Sequence, residues 1–132
     1  MFRDDFVWGV ASSSYQVEGT DANDGRGKNV WDAFTEAGRI YENQNAYTTC
    51  DHLGIKAYRF SLNWARILPQ GTGRVNEKAI QMYRDMITCM KENGITPYIT
   101  MFHWEFPQAL YEKGGWLNPE VIDWFGEYAK VV

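Results

Sequence analysis

The chain has 132 residues, 45% of them hydrophobic and 23% charged, with a net charge of -4. That balance excludes a disordered polymer, and no apolar run approaches the roughly 18 residues of a membrane-spanning helix. The acidic sequence, with a pI near 5.1, offers no basic surface for phosphates, so nucleic acid is not an expected partner.

The length suits one domain with a sizeable core. Aromatic residues reach 16%, with six Trp and eight Tyr. Rings with a polar edge suit a sugar site, which must be covered on one face and hydrogen-bonded at its rim, but they suit an ordinary core as well. Cys50 and Cys89 lie far apart with no Cys-x-x-Cys spacing, and the sequence opens on Met1-Phe2-Arg3-Asp4-Asp5 with no apolar signal region. A cytoplasmic protein with free thiols is the expectation.

Phe6 to Ser14 is a short apolar run closing on small polar residues, and reads as a first strand. Tyr15 to Gly19 follows, then a Gly- and Asp-rich loop from Thr20 to Lys28. Asp21, Asn23, Asp24 and Gly25 echo a calcium loop, but Gly25 is fifth rather than sixth and the twelfth position holds Asp32, so no metal is expected. Asn29 to Ala37 spaces Val30, Trp31 and Phe34 as a short helix stopped by Gly38. Arg39 to His52 has neither helical nor alternating pattern, and Leu53-Gly54 resembles the end of a helix whose body is missing.

Ile55 to Trp64 alternates Tyr58, Phe60, Leu62 and Trp64 against Ala57, Arg59, Ser61 and Asn63, predicting a second strand with Arg59 and Asn63 on one face. Asn76 is placed to cap a helix running to about Asn93, with Ala79, Ile80, Tyr83, Met86, Ile87 and Met90 inward. Those methionines are core filler in this reading. The run from Ile95 to Phe102 predicts a third, buried strand that ends in His103, Trp104 and Glu105 before Pro107. After Gly114-Gly115, Asn118-Pro119 signals the start of another helix, with Val121, Trp124, Phe125, Tyr128 and Val132 as its apolar face.

Strands alternating with helices imply a parallel sheet, as a barrel or as an open doubly wound sheet. No Gly-x-Gly-x-x-Gly or P-loop follows any strand, which disfavours a nucleotide site. Three strands cannot close a barrel and leave two open edges, a route to self-association.

In parallel α/β folds, sites form at the C-terminal strand tips. There the chain gathers Gln16 and Glu18, then Asn63 and Arg66, then His103, Trp104 and Glu105. Side chains that both give and accept hydrogen bonds, beside an aromatic face, make a grip for polyols. Glycoside cleavage needs two carboxyl groups, about 5 to 5.5 Å apart in retaining enzymes, and Glu18 with Glu105 is the one pair at these tips. Nothing in the sequence points either side chain at a substrate.

FVWGVASSSYQVEG, AYRFSLNWARILP, GRVNEKAIQMYRDMI, ENGITPYITMFHWEFPQAL and GGWLNPEVIDWF, in that order, resemble the N-terminal part of glycoside hydrolase family 1, the β-glucosidases. The resemblance implies an α/β fold of the TIM-barrel type, (β/α)8, of which residues 1 to 132 supply the first three β/α units as a single incomplete domain. It implies hydrolysis of β-glucosides or β-galactosides with retention and without a cofactor. By that resemblance Gln16 and His103 bind glycone hydroxyls, Trp104 lines the same subsite, and Arg59 lies beside the nucleophile and supports its charge. The Phe-His-Trp tripeptide at 102–104 implies an unphosphorylated sugar, and Glu105 stands where the family commonly has Asp.

Two departures qualify the match. The Asn-Glu-Pro and Thr-Glu-Asn-Gly motifs that bear the family's catalytic carboxylates do not occur in this sequence, so no catalytic residue is assigned. The crossover helix between the first two strands is largely missing between His52 and Leu53, which predicts an internal deletion. An N-terminal piece of a hydrolase, inactive alone, is the expectation, with a non-catalytic sugar-binding or assembly module as the alternative.

Overall fold

The computed structural model describes residues 2–18, 25–37 and 56–132, excluding the side chains of residues 16 and 34–36. Asp21, Asn23, Asp24, the Arg39 to His52 segment, Cys50 and Ile55 lie outside the described residues. Three parallel strands, β1 (Gly9–Ala11), β2 (Ala57–Ser61) and β3 (Thr96–Thr100), pair in the order β1-β2-β3. Gly9 stands opposite Ala57 and Ala57 opposite Thr96, so the register carries Ala11, Arg59 and Tyr98 onto one face and Val10, Tyr58 and Pro97 onto the other.

The second of these faces meets the helices. Phe60 stacks on Tyr83 of α4 (Glu77–Glu92) with ring centroids 6.5 Å apart, and lies 6.0 Å from Tyr58. The α4 stripe is the one its spacing predicts: Ala79, Tyr83 and Met90 are buried, with Ile80, Met86 and Ile87 packed against the core. Asn76 occupies the N-cap position, and the helix stops where Gly94 takes a φ of 70°, a conformation open to glycine without strain.

The largest fully buried side chain is that of Trp64, at the start of α3 (Trp64–Ile67). Its ring stacks on Tyr128 of α6 (Val121–Val131) at 4.8 Å and meets Phe106 and Phe125 edge-on, while its indole N–H donates to the Gly71 carbonyl at 2.9 Å. Gly71 has a φ of 82°, and a Cβ there would run into the Leu110 side chain of α5 (Gln108–Tyr111). A Gly is therefore required on both counts.

Several elements are shorter than the sequence pattern predicts. The first strand spans Gly9 to Ala11, and Ser14–Val17 forms a helical turn, α1. The second strand ends at Ser61, because Asn63 leaves the strand to accept from the Arg66 amide at 3.1 Å and cap α3. Asn118 accepts from the Glu120 amide at 2.9 Å, which places the start of α6 three residues later, after a 3-10 turn over Gly115–Leu117. Val131 packs on the core in place of the expected Val132, which is exposed. Helix α2 (Val30–Glu36) matches its predicted span.

Candidate functional site

The strand tips hold two polar groups of different character. In the first, Glu18 accepts from the Arg66 guanidinium at 2.9 Å and from the Tyr83 hydroxyl at 2.7 Å, and that hydroxyl in turn accepts from the Asn63 amide at 2.9 Å. Both carboxylate oxygens are therefore engaged, and the ion pair is buried. Burial raises the Glu18 carboxyl above its ordinary range, with Tyr83 and Arg66 opposing and the charge of Glu105 adding to the rise. Burial and the neighbouring Glu18 hold the Tyr83 phenol well above its usual value.

The second group is the end of β3. His103 is half-buried, and its buried Nδ1 has no hydrogen-bond partner among the described residues. Trp104 is 68% exposed and holds a φ of 76°, the left-handed region that a bulky side chain rarely occupies. The Phe106 amide donates to the Trp104 carbonyl at 2.8 Å, closing a tight turn around Glu105. Glu105 is 1% exposed, and one of its oxygens accepts from the Tyr15 amide at 3.1 Å, joining the β3 tip to α1.

Gln16 belongs to that same turn, although its side chain is outside the description. Arg59 lies on the sheet face away from the helices and donates from Nε to the Thr100 hydroxyl at 2.7 Å. Of the residues singled out from the sequence, His103 and Trp104 are thus adjacent at one tip. Gln16 is tied to them through Tyr15 and Glu105, and Arg59 sits below on β2. Glu18, Asn63 and Arg66 do not join them, because their side chains are spent inside the fold.

Helix α2 is anchored beside this tip. Asn29 and Asp32 cap α2 reciprocally: the Asn29 side chain accepts from the Asp32 amide at 3.0 Å, and the Asp32 side chain accepts from the Asn29 amide at 2.9 Å. Asp32 also forms a buried ion pair with Arg26, 2.7 Å at its shorter contact. The Val30 amide donates to the Phe106 carbonyl at 3.0 Å, pinning α2 under the β3 tip. An Asn-x-x-Asp spacing before an apolar run is the signal that would have found the cap. Among the described residues no group of three or more His, Cys, Asp or Glu side chains is placed to hold a metal ion.

A family profile described as Glycosyl hydrolase family 1 matches residues 1–132. The chain belongs to that family. Beta-glucosidase A of Thermotoga maritima is 45% identical over 145 residues, covering 99% of this chain and 32% of its own length. Beta-glucosidase A of Acetivibrio thermocellus is 41% identical over the same span and coverage. The solved Thermotoga maritima beta-glucosidase in complex with deoxynojirimycin superposes with a TM-score of 0.89, covering 98% of this chain and 33% of that one.

The family 1 chain therefore spans about a third of the length of the relatives it matches, and its sheet is part of a (β/α)8 barrel. The 145-residue alignment exceeds the 132 residues present, so the relative carries residues with no counterpart here, in keeping with an internal deletion. No described helix is long and apolar enough to cross a membrane.

Proposed function

We propose that this chain supplies part of the sugar site of a retaining β-glucosidase and is inactive alone. Gln16 and His103 hold hydroxyls of an unphosphorylated β-glucoside or β-galactoside, Trp104 covers one face of the ring, and Arg59 supports the charge of a nucleophile supplied from outside these residues. The observation that carries this reading is the β3 tip, where a half-buried imidazole lies next to a largely exposed indole in a left-handed backbone. A half-open imidazole beside an exposed indole presents a hydrogen-bonding edge and an apolar face together, as a sugar requires. A cytosolic setting belongs to the same proposal, supported by the free thiol of Cys89.

Both catalytic motifs of the family are missing, and Glu18, locked to Arg66 and Tyr83, cannot replace either. The purified chain is expected to release no nitrophenol from 4-nitrophenyl β-glucoside between pH 4 and 9. It is also expected to bind deoxynojirimycin, a sugar mimic, with a saturable change in tryptophan fluorescence that Trp104→Phe abolishes. Turnover that survives repurification would overturn the first half, and a flat titration the second.

The alternative of an assembly module draws on the outer edge of the sheet, where Tyr98 and Ile99 of β3 are exposed. It predicts concentration-dependent association by light scattering. A monodisperse monomer at micromolar concentration would remove it.

A further inference from the structure

We propose that Glu105 is a positioning residue that holds the two halves of this sugar grip in register. The inference rests on the reading of Gln16, His103 and Trp104 as one subsite, to which it adds the group that spaces them.

A four-residue helix such as α1 has too few internal hydrogen bonds to persist alone. Contacts from three directions fix it. The Ser14 amide donates to the Ser61 hydroxyl at 2.8 Å, which ties the turn to β2. Glu18, just beyond the turn, is tied to α3 and α4 through Arg66 and Tyr83. The Tyr15 amide donates to Glu105, and this bond reaches across from the turn bearing Gln16 to the loop bearing His103 and Trp104. Glu105 acts through its backbone as well, since the turn closed around it by the Phe106 amide accompanies the left-handed Trp104 that turns the indole outward.

The choice of a carboxylate argues for more than filling. Glu105 is 1% exposed, its second oxygen has no partner among the described residues, and the neighbouring Ser14 hydroxyl is likewise buried and unpaired. A desolvated carboxylate with an idle oxygen is destabilising by comparison with an apolar side chain of similar size. What it provides is a strong, charge-assisted bond to a backbone amide at a fixed reach. Its burial also denies it a place beside a scissile bond, so it positions rather than transfers protons.

Residue-resolved amide hydrogen exchange on the full chain tests this in Glu105→Ala, Glu105→Gln and Glu105→Asp. In Glu105→Ala the Tyr15 and Gln16 amides should exchange about tenfold faster, the loss of one charge-assisted bond, while Phe60 in β2 and Tyr83 in α4 change little. Glu105→Gln, which keeps the reach and an accepting oxygen but not the charge, should recover protection in part, and Glu105→Asp, one methylene short of that reach, should recover less. This ordering carries the test if the alanine variant does not fold. Unchanged Tyr15 exchange, or equal acceleration at Tyr15, Phe60 and Tyr83, would overturn the proposal. Deoxynojirimycin titration separates it from the subsite reading. If the wild type does not bind but Tyr15 is selectively loosened, the anchor stands and the subsite reading falls. If Glu105→Ala binds as tightly as the wild type despite a loosened Tyr15, the positioning role is wrong.

Discussion

The Glu18 cluster and the His103 tip are built from the same kinds of residue at the same end of one sheet, yet they differ in how their hydrogen bonds are used. Around Glu18 both carboxylate oxygens, the Tyr83 hydroxyl and the Asn63 amide find partners within the chain. At His103 the buried Nδ1 has no partner among the described residues, the ring is only half-buried, and the adjacent Trp104 faces solvent. A side chain whose bonds are closed inside the fold holds the fold, and one left open to solvent is available to a ligand.

The largest effect is expected from removing the cation from the closed cluster. Arg66→Met leaves Glu18 buried without its counter-charge and should cost about 3 to 5 kcal/mol, read as a lower urea midpoint, with part recovered in the double variant carrying Glu18→Gln. Tyr83→Phe withdraws a donor from Glu18 and an acceptor from the Asn63 amide, at about 1 to 3 kcal/mol. His103→Ala should do the opposite, leaving stability within about 1 kcal/mol while weakening deoxynojirimycin binding about tenfold or more. If His103→Ala proved as destabilising as Arg66→Met, the two groups would be alike and the distinction lost.

A smaller effect is expected with pH. Burial raises the folded-state pKa of Glu18 above its ordinary 4.5, so the folded chain takes up this proton before the unfolded chain does as pH falls. Its stabilising contribution is fully present below about pH 4.5 and is lost as pH rises through the raised value. Relative to Glu18→Gln, the wild type should therefore gain stability as pH falls from 7 towards 4.5, measured by thermal melts of the two proteins. A gain in the reverse direction would mean that Arg66 and Tyr83 outweigh desolvation.

Much of this was legible in the sequence because it rests on local periodicity. The α4 stripe from Ala79 to Met90 and the strand positions of Tyr58 and Phe60 follow from spacing alone, and the order of strands and helices implies the parallel sheet. Strand ends were less legible. Trp64 continues the alternation of β2 as a sequence but starts a helix, because the Asn63 side chain captures the Arg66 amide and the indole then stacks on Tyr128, far away in the chain. Tertiary packing decided that boundary. In the same way, sequence placed Glu18 and Glu105 at strand tips without showing that one is locked to Arg66 and the other bonded to the Tyr15 amide. Those partners are separated from them by 48 and 90 positions, beyond the reach of any local pattern.

Chemical-shift mapping of the full chain during titration with deoxynojirimycin tests the central distinction most directly. Saturable shifts are expected at Tyr15, Gln16, His103 and Trp104 with a common midpoint, and none beyond background at Glu18, Arg66 and Tyr83. Shifts confined to the Glu18 cluster, or to the separate groove lined by Pro69, Arg74 and Lys78, would contradict it.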